Sequence, residues 1–145
     1  MAERTQDIIN ACENNWEANK SDCNKFVRAV GAALGIDIVA GNADAIIDSL
    51  TAPTWTPVIG GIAAKQKADE GFFVIAGLKA AAHTPPRTNG HVAVVVAGPL
   101  DPTHNKYPTG YWGSLGSIGK KNTTLNYSWN TADRDNVKYF YRALP

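Results

Sequence analysis

Charge of one sign, long apolar runs and cysteine are all scarce in this chain, and each shortage speaks against a class of function. Fourteen Lys and Arg stand against thirteen Asp and Glu, a net charge of +1, so no electrostatic excess is available to grip a polyanion. Nucleic-acid binding is not expected as its main task. The longest apolar stretch, Val92 to Ala97, falls far short of the ~20 residues that cross a bilayer, so no membrane span is expected. The opening Met-Ala-Glu-Arg-Thr-Gln-Asp lacks a basic lead before an apolar core, so no Sec-type signal is visible and any export would need another route. Cys12 and Cys23 allow one bridge at most, and without a partner His pair they do not make a zinc site. Internal repeats and low-complexity tracts are absent as well.

What is present suits a single domain spanning residues 1–145. At 145 residues, against a typical ~150 per domain, and 44% apolar, the chain can bury a real core. Ile8, Ile9, Cys12 and Trp16 recur at helical spacing over residues 5–16, opposite Glu13, Asn14 and Glu17. After a polar break a second helix opens at Ser21 or Asp22 as N-cap, turns Cys23, Phe26, Val27, Val30, Ala33 and Leu34 inward and stops at Gly35. Asn42 opens a third, with Ala43, Ile46, Ile47 and Leu50 on one side, and a weak helical piece follows over residues 63–68. Strands are then predicted over 72–76, 92–96, 111–115, 125–129 and 138–142. The Pro-rich segment 79–90 between the first two reads as a mobile loop. Helices followed by consecutive strands argue for an α+β fold with an antiparallel sheet.

Cys23 falls in the first turn of the second helix, where free N–H groups and the helix dipole favour a thiolate. The plainer reading makes it one more core residue on an apolar face. His91 opens the Val-rich strand directly after Gly90, whereas His83 and His104 sit in Pro-rich loops. A cysteine at a helix start with a histidine on a later strand is the arrangement of papain-like hydrolases, although any two cysteines and three histidines offer such pairs by chance.

The local words narrow the choice. Ser21-Asp22-Cys23-Asn24-Lys25-Phe26-Val27, with Asn89-Gly90-His91-Val92-Ala93-Val94-Val95, resembles the D-C-S-G-F/L and G-H-V-A motifs of the NlpC/P60 and CHAP cell-wall peptidases. Residues 41–45, 71–79 and 91–100, and Trp129-Asn130 with Asp133-Arg134-Asp135, are similar to the first family of type VI secretion amidase effectors. This resemblance runs across nearly the whole chain. It implies a papain-like NlpC/P60 fold, with N-terminal helices packed on an antiparallel sheet. It also implies an antibacterial toxin delivered by contact into a neighbouring Gram-negative cell, where it acts in the periplasm. There it would cut peptidoglycan stem peptides at the γ-D-glutamyl to meso-diaminopimelate amide bond, and a cognate periplasmic immunity protein would block it in the producer's kin. Cys23 carries over as nucleophile and His91 as general base and acid, with no metal or cofactor. Asn24-Lys25 replaces the usual Ser-Gly pair, and Asp7 stands where relatives carry a cysteine, so no structural disulfide is expected. The strand Tyr111-Trp112-Gly113-Ser114 should lie beside the histidine strand, yet it offers no His, Asn or Gln, which leaves the third, orienting residue unassigned.

The expected chemistry is amide hydrolysis through a Cys23 thioester, with the Cys23 backbone N–H helping to bind the oxyanion. A housekeeping or phage-derived wall endopeptidase would bring a signal peptide, an SH3-like module or a repeat domain, none of which is visible. A catalytically inert wall-binding module with a buried Cys23, and acyl transfer from another amide donor, are the remaining alternatives. Tyr107, Tyr111 and Trp112 either line a groove or pack beneath loops, and Trp16, Trp55 and Trp129 are assigned to the core or its edge. Substrate-binding residues are not identified.

Overall fold

The uninterrupted apolar run of the central strands has a simple cause, which is that both faces of the sheet are covered. In the computed structural model, which describes residues 2–145, Val92, Val94 and Val96 face one buried cluster and Ala93 and Val95 the other. The elements run α1 (Ala2–Asn19), α2 (Cys23–Ala33), α3 (Ala43–Ser49), β1 (Thr56–Val58), α4 (Gly61–Asp69), β2 (Phe73–Leu78), β3 (His91–Val95), β4 (Thr109–Trp112), β5 (Lys120–Thr124) and β6 (Lys138–Arg142). The six strands form one sheet in the order β1-β6-β2-β3-β4-β5, with every neighbouring pair antiparallel. This is the expected α+β architecture.

Helices α1 to α3 lay Ile8, Cys12, Cys23, Phe26, Val27, Val30, Ile46 and Leu50 against one face. The other face is covered by Ala64 and Ala68 of α4 and by Trp112, Leu125, Trp129 and Val137. Burial of so many side chains at about 25 cal/mol per Å² of apolar surface is what holds the sheet between its layers. On α2, Gly31 rather than Ala33 turns inward, because a Cβ at Gly31 would lie 2.9 Å from the Ile36 carbonyl oxygen.

The sequence reading and the structure also part at residues 125–129 and 79–90. Residues 125–129 are not a strand: Leu125–Tyr127 forms a 3-10 turn that buries Leu125 and Trp129 and leaves Tyr127 67% exposed. The strand next to β4 is instead the polar segment Lys120–Thr124. The segment 79–90 is also tied down rather than free. Ala80 N–H donates to Asp44 Oδ1 (2.9 Å), Thr84 N–H to Asp133 Oδ1 (2.7 Å) and Arg87 N–H to the Ala80 carbonyl (2.9 Å), while His83 is buried.

Candidate active site

Helix α2 begins at the sheet because Asp22 caps it. In extended conformation (φ −153°, ψ 108°), its carboxylate accepts the N–H groups of Asn24 and Lys25, each at 3.0 Å, and leaves that of Cys23 uncapped. Cys23, the first helical residue, is 1% exposed and donates its thiol proton to Asn24 Oδ1 at 3.4 Å. Burial pushes the thiol up from its ordinary range; the backbone amide of Val92 pulls the other way, and the Asp22 charge adds to the rise. Desolvation and the capping carboxylate thus work against the thiolate that a helix start favours.

His91 is the first residue of β3, paired with Leu78 of β2. Gly90 before it has no room for a side chain, because a Cβ would lie 2.4 Å from Asp44 Oδ1. The imidazole is 8% exposed and meets the edge of Trp129, with ring centroids 4.8 Å apart and planes at 67°. Its Nε2 lies 2.7 Å from Ser128 Oγ. Burial lowers its pKa to about 3, and the electrostatic effects of Arg87 and His83 add to the fall. At neutral pH the pair is thus thiol and neutral imidazole, so His91 is free to accept a proton.

The two side chains line one groove of about 330 Å³, together with residues 87–90, Ser114, Leu115 and Ser128. One wall is the segment after β4, pinned to the α1–α2 turn. Ser114 N–H and Gly119 N–H both donate to the Lys20 carbonyl, at 3.1 and 2.8 Å. Gly113 passes so close that a Cβ there would lie 2.3 Å from the Asn19 carbonyl oxygen. Leu115, Ile118 and Tyr127, in the segments that supply Ser114 and Ser128, are exposed apolar side chains.

Of the residues singled out from sequence, Cys23 and His91 come together, and the other two histidines serve elsewhere. His83 bonds through Nδ1 to the Lys79 carbonyl (2.9 Å), and His104 through Nδ1 to Asp101 (2.9 Å). Tyr111 and Trp112 are packing residues. The Tyr111 hydroxyl donates to Glu13 (2.5 Å), and the Trp112 carbonyl accepts from Trp16 Nε1 (3.1 Å). Tyr107 borders a different cavity. The hydroxyl that meets the His91 ring comes from Ser128 rather than from β4, and Trp129 touches the same ring. The Trp129-Asn130 motif pointed at this neighbourhood, but a serine before it carries no signal of its own. Cys12 and Cys23 are free thiols, and among the described residues no group of His, Cys, Asp or Glu is placed to hold a metal ion.

No protein-family model matches the chain. A curated protein of Pseudomonas aeruginosa, peptidoglycan amidase Tse1, is 42% identical over 149 aligned positions that cover 96% of this chain and 91% of that one. Likeness at that level over almost the full length of both proteins shows kinship, and the chain belongs to the same family, the type VI secretion amidase effectors that its motifs resemble.

Proposed function

We propose that the protein is a cysteine amidase of the bacterial cell wall that hydrolyses peptidoglycan stem peptides at the γ-D-glutamyl to meso-diaminopimelate bond. The observation that carries this reading is the shared groove of Cys23 and His91, with the imidazole held by Ser128, in a chain 42% identical to a peptidoglycan amidase. With Nε2 engaged by Ser128, Nδ1 is the ring nitrogen left to take the Cys23 proton. The sulfur attacks the glutamyl carbonyl carbon, and the uncapped Cys23 N–H donates to the oxygen as negative charge develops there. The imidazolium returns its proton to the diaminopimelate nitrogen, the C–N bond breaks and a thioester remains. Water, deprotonated by the same imidazole, attacks the thioester and releases the carboxylate and the thiol. No step in this sequence calls for a metal or a cofactor.

The same reading gives the protein its partners. It is an antibacterial effector that reaches the target periplasm through a type VI apparatus and is neutralised in kin by a periplasmic immunity protein. The bond is tested by digesting purified Gram-negative sacculi and weighing the muropeptides by mass spectrometry. Products ending at D-glutamate, with intact tetrapeptides lost, are expected. Products cut only at the crosslink would overturn the bond assignment.

A further inference from the structure

A second cavity, of about 420 Å³, opens between β1, the start of α4, the segment before β4 and the segment before β6. It shares no lining residue with the catalytic groove. Two residues of the Asp133-Arg134-Asp135 motif line it, a role the catalytic chemistry does not use. Asp135 is already matched, accepting from Tyr107 Oη (2.6 Å) and pairing with Lys106 (3.0 Å). Arg134 stacks on the Tyr107 ring at 4.9 Å, and its Nη2 lies 3.5 Å from His104 Nε2; its Nε is buried with no hydrogen-bond partner, and the guanidinium has no carboxylate partner among the described residues. Lys138 likewise lacks an ion-pair partner there. Tyr139 is 4% exposed and lines the cavity, and its hydroxyl has no hydrogen-bond partner among the described residues. Two cations without a carboxylate partner and a tyrosine hydroxyl without a hydrogen-bond partner among the described residues are thus gathered in one concavity.

The remaining wall is apolar. Ile59, in the turn before Gly60, which caps α4 without a side chain, is 98% exposed, and Ile62, in the first turn of α4, is 60% exposed. The cavity is also held in shape before any ligand arrives. Buried Asp101 takes the N–H groups of His104, Lys106 and Tyr107 at 2.7 to 3.1 Å, and buried Asp133 ties the other rim to Thr84. Donors with two net positive charges beside aliphatic side chains fit a short peptide that carries free carboxylates and small methyl side chains.

We propose that this cavity binds a second stem peptide of the same wall polymer, through the free carboxylates of its glutamyl and diaminopimelyl residues, and so holds the polymer while the catalytic groove cuts. The proposal rests on the amidase reading for the identity of the polymer. Binding at two points of a crosslinked mesh raises retention by effective concentration without any change at the cutting site.

The test uses two pairs of proteins. In a Cys23→Ala background, Arg134→Gln/Lys138→Gln and, separately, Ile59→Ser are compared with the parent for co-sedimentation with purified sacculi. In the active background the same substitutions are assayed on sacculi and on a soluble disaccharide tetrapeptide. Retention is expected to fall about tenfold and KM on sacculi to rise correspondingly, while kcat/KM on the soluble substrate stays within about twofold. Ile59 is so exposed that its variant folds as the parent does. Equal retention by parent and both variants, or none by the parent, overturns the proposal. Loss of retention in the variants of a protein that cuts neither substrate would leave the holding site standing and remove the amidase reading instead.

Discussion

The two cysteines of this chain make an informative pair, because burial alone does not tell them apart. Cys12 is 0% exposed and Cys23 1%, and desolvation raises both thiols. Cys12 sits within α1, where its thiol finds only packing and the added charge of Glu13. Cys23 stands at the start of α2, where the amides of Val92, Cys23 and Asn24 offset part of the rise, and it borders the groove that holds His91. Reactivity in this fold thus depends on where along its helix a cysteine falls, and on which backbone donors and which base it meets there.

Four outcomes sharpen or break this contrast. The largest is chemical. Iodoacetamide should modify Cys23 in the native protein slowly at pH 7 and faster as pH rises, since its thiol is shifted upward, and Cys12 about a hundredfold more slowly. Peptide mapping of the labelled sites checks it, and equal labelling would erase the distinction. Next, Ser128→Ala should lower kcat about tenfold with little change in KM, the cost of one hydrogen bond that orients the imidazole. Ser128→Thr should restore most of the loss and return the pH profile of kcat to that of the parent.

The third outcome concerns stability. A folded-state pKa of about 3 for His91, against 6.5 for the free side chain, means that the unfolded chain binds the extra proton between those values. Stability from this group is therefore fully present above pH 6.5 and falls toward pH 3, by up to about 1.4 kcal/mol per pH unit. Urea unfolding of the protein and of His91→Gln from pH 7 to 4 should show the shallower slope in the variant. The smallest effect is that of Cys12→Ala, which should cost about 1 kcal/mol in the same assay and leave activity within about twofold.

Much of the site was readable in the sequence, for identifiable reasons. Asp22 and Asn42 announce helix starts through their capping chemistry, and the β-branched residues of the Val-rich run mark β3 as a strand. Cys23 and His91 were named from helix position, strand position and local motif together. What escaped depended on tertiary context. Lys120–Thr124 is an edge strand whose polar residues carry no hydrophobic signature, as edge strands commonly do. Leu125, Tyr127 and Trp129 alternate like a strand, yet the buried pair is Leu125 and Trp129, four residues apart around a turn. Ser128 gains meaning only when that turn brings it beneath His91. The upward shift of the Cys23 thiol is not legible in the sequence, because desolvation by a folded environment has no counterpart in a list of residues.

The most direct test is to incubate purified Gram-negative sacculi with the protein and with its Cys23→Ala form, after circular dichroism shows that both are folded. Soluble muropeptides should accumulate with the first, and fall by at least about a thousandfold in rate with the second. Substantial hydrolysis by folded Cys23→Ala protein would contradict the assignment of Cys23 as the nucleophile.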